Sequence, residues 1–197
     1  MKNTVIVLSG PSGAGKTTLI KHLLTKRGFS SKLLRIVTCT TRRPRPGERP
    51  GKDYVFLGRK EFEKAIREKG FLEWQRILGE YYGTPRQAVE ETLRAGKTPL
   101  LCIDVQGAKA LRRKRGFSFV FVFVLPSQRD WQGALMKRLR GRSAESPGQI
   151  KKRLSLAKKE IACAEDYDYV LINDNIVPAV KELGKIITSS IKRKGER

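Results

Sequence analysis

Apolar runs alternate with helically spaced segments along most of the chain. The run at 117–125, with Phe, Val or Leu at nearly every position, is typical of a central strand that is buried on both faces. Shorter apolar runs at 3–9, 33–39 and 98–103 predict three further strands. Strands that alternate with helices are typical of an α/β fold with a parallel sheet, and we predict that fold class.

The segment 71–98 contains patterns typical of a strand, a turn and a helix in succession. A strand-like pattern covers 71–78, and the glycine- and tyrosine-rich segment 79–83 predicts a turn. Pro85 is expected to open a helix, since proline is favoured at a first helical position. Toward the C-terminus, helical spacing covers 127–140 and 149–165.

A glycine-rich segment with a lysine and a threonine follows the first predicted strand and opens a helix. Residues 10–17 fit G-x-x-x-x-G-K-S/T at every required position, which in this context predicts a phosphate-binding P-loop rather than a glycine-rich turn without a ligand. Lys16 should reach the β- and γ-phosphates, and the Thr17 hydroxyl should bind Mg²⁺. The predicted ATP-binding residues here are Gly10, Pro11, Ser12, Gly13, Ala14, Gly15, Lys16, Thr17 and Thr18.

The length and the cysteine content limit which classes of protein this chain can belong to. At 197 residues the length predicts one core domain and leaves room for small inserted lobes. The three cysteines Cys39, Cys102 and Cys163 form no C-x-x-C or zinc spacing, which favours a reducing compartment. No apolar run approaches the roughly 20 residues of a membrane span, and no signal peptide is evident. We therefore expect a cytoplasmic protein without a membrane partner.

The net charge of +23 is unusual and attracts anions in general. Nucleotides, nucleic acid and anionic membranes are all compatible with it. No RNA-binding motif or recognition helix accompanies the charge, so we expect no specific nucleic-acid partner.

A second candidate site is the loop rich in proline and arginine that precedes Tyr54. Arg42 and Arg45 lie three residues apart, so they can hold one phosphate from two directions, and the tyrosine hydroxyl can donate to the same group. On spacing alone, a solvated basic loop is the better interpretation.

Together with the P-loop, this loop resembles the guanylate kinase signature. The resemblance continues in order through Phe71-Leu72-Glu73-Trp74, residues 79–84, Ile103-Asp104-Val105-Gln106-Gly107 and Tyr167-Asp168-Tyr169-Val170. It implies transfer of the γ-phosphoryl group of ATP to GMP, giving ADP and GDP, with Mg²⁺, in purine nucleotide metabolism. It also implies a P-loop core (1–37, 91–127 and 159–197), an inserted GMP-binding lobe (38–90) and a mobile lid (128–158).

The resemblance implies roles for individual residues. Glu73 would accept hydrogen bonds from the guanine N1–H and 2-amino group, and Thr38 and Thr84 would add hydroxyls to the base. Asp104 would lie near both the guanine and the metal ion, and Asn173 near the adenine. The GMP phosphate would be held by Arg42, Arg45, Tyr54 and Tyr82. The catalytic cations would be Lys16, Arg42, Arg138, Arg142 and Arg153.

Two departures from the family pattern stand out. Cys102 occupies a position two before Asp104 that is usually acidic, and Ser143 follows Arg142 where glycine is common. Three alternatives stay open at this point: a non-catalytic interaction module, a P-loop enzyme with another phosphorylated acceptor, and a nucleic-acid-binding protein. The use of dGMP and the choice between a monomer and a small homo-oligomer are also left open.

Overall fold

The described part of the chain, residues 3–140 and 147–195 of a computed structural model, contains nine strands and seven α-helices. The strands are β1 (Thr4–Ser9), β2 (Leu33–Arg35), β3 (Cys39–Thr40), β4 (Val55–Phe56), β5 (Phe71–Ile77), β6 (Glu80–Pro85), β7 (Thr98–Cys102), β8 (Ser118–Leu125) and β9 (Tyr169–Ile172). The helices are α1 (Lys16–Leu24), α2 (Arg59–Arg67), α3 (Arg86–Arg94), α4 (Val105–Arg112), α5 (Trp131–Arg140), α6 (Pro147–Ile161) and α7 (Ile176–Gly195).

The centre of the fold is a five-stranded sheet in the order β2-β7-β1-β8-β9, in which every neighbouring pair is parallel. This confirms the predicted α/β class. The strand order reverses on either side of β1, which lies between β7 and β8. Loops that leave the carboxyl ends of such neighbouring strands diverge, so a crevice opens where β1 ends. The P-loop begins at that point.

Helices cover both faces of the central sheet. Ile6 and Leu8 of β1 point to one face, where they pack against α1 and α7. Val5 and Val7 point to the other face and pack with side chains of α3 and α4. All four residues are fully buried, which explains the continuous apolar run in the sequence.

A second sheet, in the order β4-β3-β6-β5, lies between β2 and β7 in the sequence. It has its own small apolar cluster, formed by Cys39, Phe62 and Phe71. The strand predicted at 33–39 is therefore divided, because β2 belongs to the central sheet and Cys39 to the second one.

The turn predicted over 79–83 was wrong. Only Leu78 and Gly79 turn the chain, both with positive φ (51° and 91°), and they join Ile77 to its cross-strand partner Glu80. A two-residue hairpin loop with two positive φ angles suits the twist of paired strands. Tyr81 then pairs with Arg76, so the residues after the turn continue as a strand.

The bounds of three helices also differ from the predicted ones. Pro85 is the last residue of β6, so the helix expected to open there begins at Arg86. The helix expected at 127–140 begins at Trp131, because Asp130 accepts a hydrogen bond from the Gly133 N–H (2.8 Å) and so caps the first turn. The helix expected at 149–165 spans 147–161 and is followed by a 3-10 turn at Ala164–Asp166. In the described ranges, none of the helices has the length and apolar character needed to cross a membrane.

Candidate functional site

A cleft at the carboxyl edge of the central sheet brings most of the predicted site residues together. The P-loop forms its floor, and the second sheet, the end of β7 and helix α6 form its walls. Its lining includes Gly10, Ser12, Gly13, Gly15, Lys16, Thr17, Thr38, Arg42, Arg45, Tyr54, Glu73, Tyr82, Cys102, Asp104, Arg153 and Glu160.

Two P-loop glycines are required by their surroundings. Gly10 has a φ of 132°, and a Cβ there would lie 2.5 Å from the carbonyl oxygen of Val124. Gly15 has a φ of 90°, and a Cβ there would collide with the side-chain amide of Asn173. Larger residues would push the loop away from strand β8 and from Asn173, so these glycines let it pass close to its neighbours.

Lys16 and Thr17 open helix α1 at the floor of the cleft. The Lys16 ammonium donates to the carbonyls of Gly10 (2.6 Å) and Pro11 (3.0 Å) within the loop. The Thr17 hydroxyl lies 3.8 Å from the Cys102 sulfur. Thr18, by contrast, is exposed and is not among the described residues that line the cleft.

Asn173 and Arg138 hold the P-loop in place through hydrogen bonds to its main chain. The Asn173 amide donates to the Ala14 carbonyl (2.7 Å), and Arg138 donates to the same carbonyl (3.2 Å) and to the main chain of Asn173 (2.5 Å). Neither belongs to the described lining of the cleft, so their expected contacts with nucleotide stay predictions. Arg142 lies outside the described residues.

The arginine loop is organised by Glu48, which the sequence reasoning missed. Its carboxylate accepts two hydrogen bonds from the Arg42 guanidinium (2.9 and 3.0 Å) and one from the main-chain N–H of Arg45 (2.8 Å). It is the only acidic residue between Thr40 and Lys52, a signal that could have identified it. The ion pair holds Arg42 at the cleft wall, with its guanidinium 5.5 Å from the ring centre of Tyr54.

Two tyrosines stand beside these arginines. The rings of Tyr54 and Tyr82 meet edge to face, with their centres 6.2 Å apart. Burial raises the pKa of Tyr54 to about 12. Its hydroxyl therefore keeps its proton at neutral pH and can donate a hydrogen bond to an anion in the cleft.

Glu73 is a buried carboxylate in the same cleft. It is 5% exposed and accepts a 2.5 Å hydrogen bond from the Thr84 hydroxyl. Burial, followed by the nearby negative charge of Asp104, raises the pKa of Glu73 to about 7, against the effect of the Thr84 hydrogen bond. A Cβ on Gly107 would come within 2.7 Å of the carboxylate, so a larger residue at that point of α4 would displace the Glu73 side chain. Thr38 is also buried at the cleft.

Asp104 follows β7 and caps helix α4. One of its oxygens accepts the N–H groups of Gln106 (2.7 Å) and Gly107 (3.0 Å), which sets the orientation of the carboxylate. Within residues 3–140 and 147–195, no cluster of three or more His, Cys, Asp or Glu side chains is placed to hold a metal ion. Mg²⁺ keeps several waters and binds through one or two protein oxygens plus substrate phosphates. The Thr17 hydroxyl and the Asp104 carboxylate fit that requirement.

Glu160 is a second buried acid that the sequence reasoning missed. It is 9% exposed and shares one face of α6 with Arg153 and Leu156, at helical spacing. Burial raises the pKa of Glu160 to about 7, although the positive charges of Lys16 and Arg153 act in the opposite direction. The Arg153 guanidinium itself donates to the Ser12 hydroxyl (3.0 Å). No motif in the sequence marks Glu160.

Comparisons with known proteins agree with this arrangement. A family profile described as guanylate kinase matches residues 2–190. The chain is 43% identical over 188 residues to a guanylate kinase of Onion yellows phytoplasma, covering 94% of this chain and 85% of that protein. It is 42% identical over 186 residues to a guanylate kinase of Rubrobacter xylanophilus, covering 94% of each chain.

A solved structure gives the same result for the fold. The crystal structure of guanylate kinase from Anaplasma phagocytophilum superposes with a TM-score of 0.74 at 31% sequence identity, covering 95% of this chain and 85% of that one. Because the profile and the relatives span nearly the whole chain, the chain belongs to the guanylate kinase family.

Proposed function

We propose that this chain phosphorylates GMP at the expense of Mg²⁺-bound ATP in the cytoplasm, as a step of purine nucleotide metabolism. Family membership makes it an ATP:GMP phosphotransferase, a nucleoside monophosphate kinase. The observation that best supports GMP as the acceptor is the buried carboxylate of Glu73 in the cleft of a complete P-loop. Guanine presents two adjacent hydrogen-bond donors, and an ionised carboxylate is acceptor-only.

The two nucleotides would occupy the two ends of the cleft. ATP would place its β- and γ-phosphates on the P-loop, where Lys16 would exchange loop carbonyls for phosphate oxygens. GMP would place its base at Glu73, Thr38 and Thr84. Its phosphate would lie among the side chains of Arg42, Arg45, Tyr54 and Tyr82.

The chemistry requires little acid–base work. An oxygen of the GMP phosphate forms a bond to the γ-phosphorus while the bond to the ADP oxygen breaks, and the phosphate nucleophile is already anionic. Catalysis then rests on alignment and on neutralising the charge of the transferring group. We assign that neutralisation to Lys16, Arg42, Arg138, Arg142 and Arg153.

Magnesium would be held by the Thr17 hydroxyl and the Asp104 carboxylate, on the support of their oxygen donors and of the cap that orients Asp104. The ion would supply positive charge between the β- and γ-phosphates. Cys102 is unsuited to this role, because a thiol is a soft ligand and Mg²⁺ prefers oxygen.

Residues 38–90 are proposed to act as a GMP-binding lobe and residues 128–158 as a lid, against a core of 1–37, 91–127 and 159–197. The separate sheet and apolar cluster of the first region support a distinct lobe. Closure would exclude water, which otherwise competes with GMP for the phosphoryl group.

The function is tested by measuring ADP formation with GMP, AMP, CMP and UMP in parallel, with and without Mg²⁺. We expect turnover with GMP that depends on the metal and far lower turnover with the other three. Equal use of two or more bases, or ADP formation that does not depend on an acceptor, would contradict the proposal.

Removing either cleft arginine is expected to impair GMP use selectively. Arg42→Ala and Arg45→Ala should each lower kcat/KM for GMP at least about 30-fold, with a smaller effect on ATP affinity. Losing one partner of a desolvated charge pair costs about 2–5 kcal/mol, and about 1.4 kcal/mol corresponds to tenfold. Arg43→Ala is the matched control, because that side chain is exposed and outside the described cleft lining. If ATP binding suffers most, the two arginines belong to the other nucleotide.

A further inference from the structure

Glu160 is a nearly buried carboxylate that lines the cleft without a protein partner. It is 9% exposed, and in residues 3–140 and 147–195 its side chain is reached by the charges of Lys16, Arg153 and Asp104 but by no hydrogen bond or ion pair. Its two cationic neighbours are engaged elsewhere: Lys16 donates to loop carbonyls, and Arg153 donates to Ser12. Both charges act on Glu160 without a direct contact, and a buried carboxylate that lacks a hydrogen-bond partner is costly, so a ligand is expected to complete it.

Glu160 is a third carboxylate in the cleft, besides Glu73 and Asp104, and the roles assigned above give it no guanine, cap or metal to contact. The surrounding lining carries Lys16, Arg42, Arg45 and Arg153, whose charges favour anions. Glu160 would repel a nearby phosphate unless a cation lies between the two groups. A hydrated divalent cation meets this requirement, because its bound waters donate hydrogen bonds to carboxylates.

The neighbouring wall of the cleft, formed by the end of β7, lacks the acidic side chain that the family usually has at position 102. Cys102 presents a thiol at this position, 3.8 Å from the Thr17 hydroxyl, the group we assign to the metal ion. Asp104 is the other acid close by, and its charge acts on Glu160, but one of its oxygens is committed to capping α4. The described residues contain no cluster of three side chains suited to direct metal coordination, which favours contact through water.

We propose that Glu160 is an outer ligand of the nucleotide-bound Mg²⁺: it accepts hydrogen bonds from the water shell of the ion and supplies the charge that Cys102 does not. The inference rests on the proposed use of Mg²⁺-bound ATP. Because Glu160 lies near the end of α6 and Thr17 on α1, the hydrated ion would also connect these two helices.

The test measures metal affinity directly rather than turnover. Mn²⁺ replaces Mg²⁺ as a paramagnetic probe, and its dissociation constant is measured by electron paramagnetic resonance with the protein and the non-hydrolysable analogue AMPPNP. Glu160→Gln removes the charge and keeps the shape of the side chain. We expect Mn²⁺ affinity to fall about tenfold, the usual size of losing an outer-shell partner. Glu165→Gln, at an exposed acid just beyond α6, should leave it unchanged.

A second substitution distinguishes a metal contact from a structural one. Cys102→Asp in the Glu160→Gln background should restore at least about a third of the lost affinity, since it adds a carboxylate on the neighbouring wall of the cleft. Cys102→Ser, which is neutral, should restore nothing. Glu160→Asp, which keeps the charge on a shorter arm, should give an intermediate affinity and serves if the glutamine variant folds poorly.

Three results would overturn the inference. The first is unchanged Mn²⁺ affinity in Glu160→Gln. The second is a loss of AMPPNP affinity of equal size without metal, which would make Glu160 a partner of Lys16. The third is a lower melting temperature of the ligand-free variant with no rescue by Cys102→Asp, which would make the role structural. Wild-type protein that binds Mn²⁺ and AMPPNP but makes no GDP would refute the proposed function alone.

Discussion

Replacing Lys16 by methionine is expected to abolish phosphoryl transfer while leaving the fold intact. Among the described residues, the ammonium donates hydrogen bonds to the carbonyls of Gly10 and Pro11 alone, and methionine fills a similar length at the start of α1. The charge is needed when negative charge builds up on the transferring group. One such contact is typically worth about 10²–10³ in kcat.

The measurement is steady-state ADP formation with GMP, together with a thermal unfolding curve. Lys26→Met is the control, because Lys26 is exposed just beyond α1. Retention of more than about a tenth of wild-type turnover by the Lys16 variant would show that the loop lysine does not carry the transition-state charge.

Preference for GMP over AMP is expected to reach at least about 10³ in kcat/KM and to depend on Glu73. Sites that pair with buried donors can reject analogues without them by up to about 10⁴–10⁵. AMP would place its N1 lone pair against the carboxylate and offers no 2-amino group, which leaves a buried charge unpaired. Glu73→Gln should remove much of the preference, since an amide has a single acceptor oxygen.

The threonines around the base should matter less than the carboxylate. Thr38→Ala and Thr84→Ala each remove one neutral hydroxyl, and a net hydrogen bond of that kind is worth about 1 kcal/mol. A Glu73→Gln variant with undiminished selectivity, or wild-type protein that uses AMP as readily as GMP, would refute the assignment of the guanine to this end of the cleft.

The pH profile gives an independent measure of the same carboxylate. Burial raises the pKa of Glu73 to about 7, so its protonated fraction grows as the pH falls through that value. Only the ionised form can accept both guanine donors. The wild-type KM for GMP should therefore rise below about pH 7, whereas Glu73→Gln should lack this component. The variant also serves as the control for titration of the GMP phosphate, which both proteins share.

Much of the fold could be predicted because its signals are local. The central strand β8 is recognisable from apolar residues on both faces. The P-loop is recognisable from the spacing of glycine, lysine and threonine directly after β1. For Arg42, Arg45 and Tyr54, spacing alone favours a solvated basic loop; the family resemblance implied their place in the site, and the structure brings all three to the cleft. Periodicity and short motifs record backbone constraints between near neighbours in the chain, so they can be read without tertiary information.

The rest depended on contacts between distant positions, which local patterns do not encode. The P-loop carbonyl of Ala14 is held by Asn173, a partner 159 residues away. Glu160 lines the nucleotide cleft only because α6 packs beside the P-loop. The sequence by itself determined the α/β class and the phosphate loop. Only the tertiary structure decided that Glu73 is buried with a raised pKa and that Glu160 lies in the same cleft, because burial and electrostatic neighbours arise from packing rather than from order along the chain.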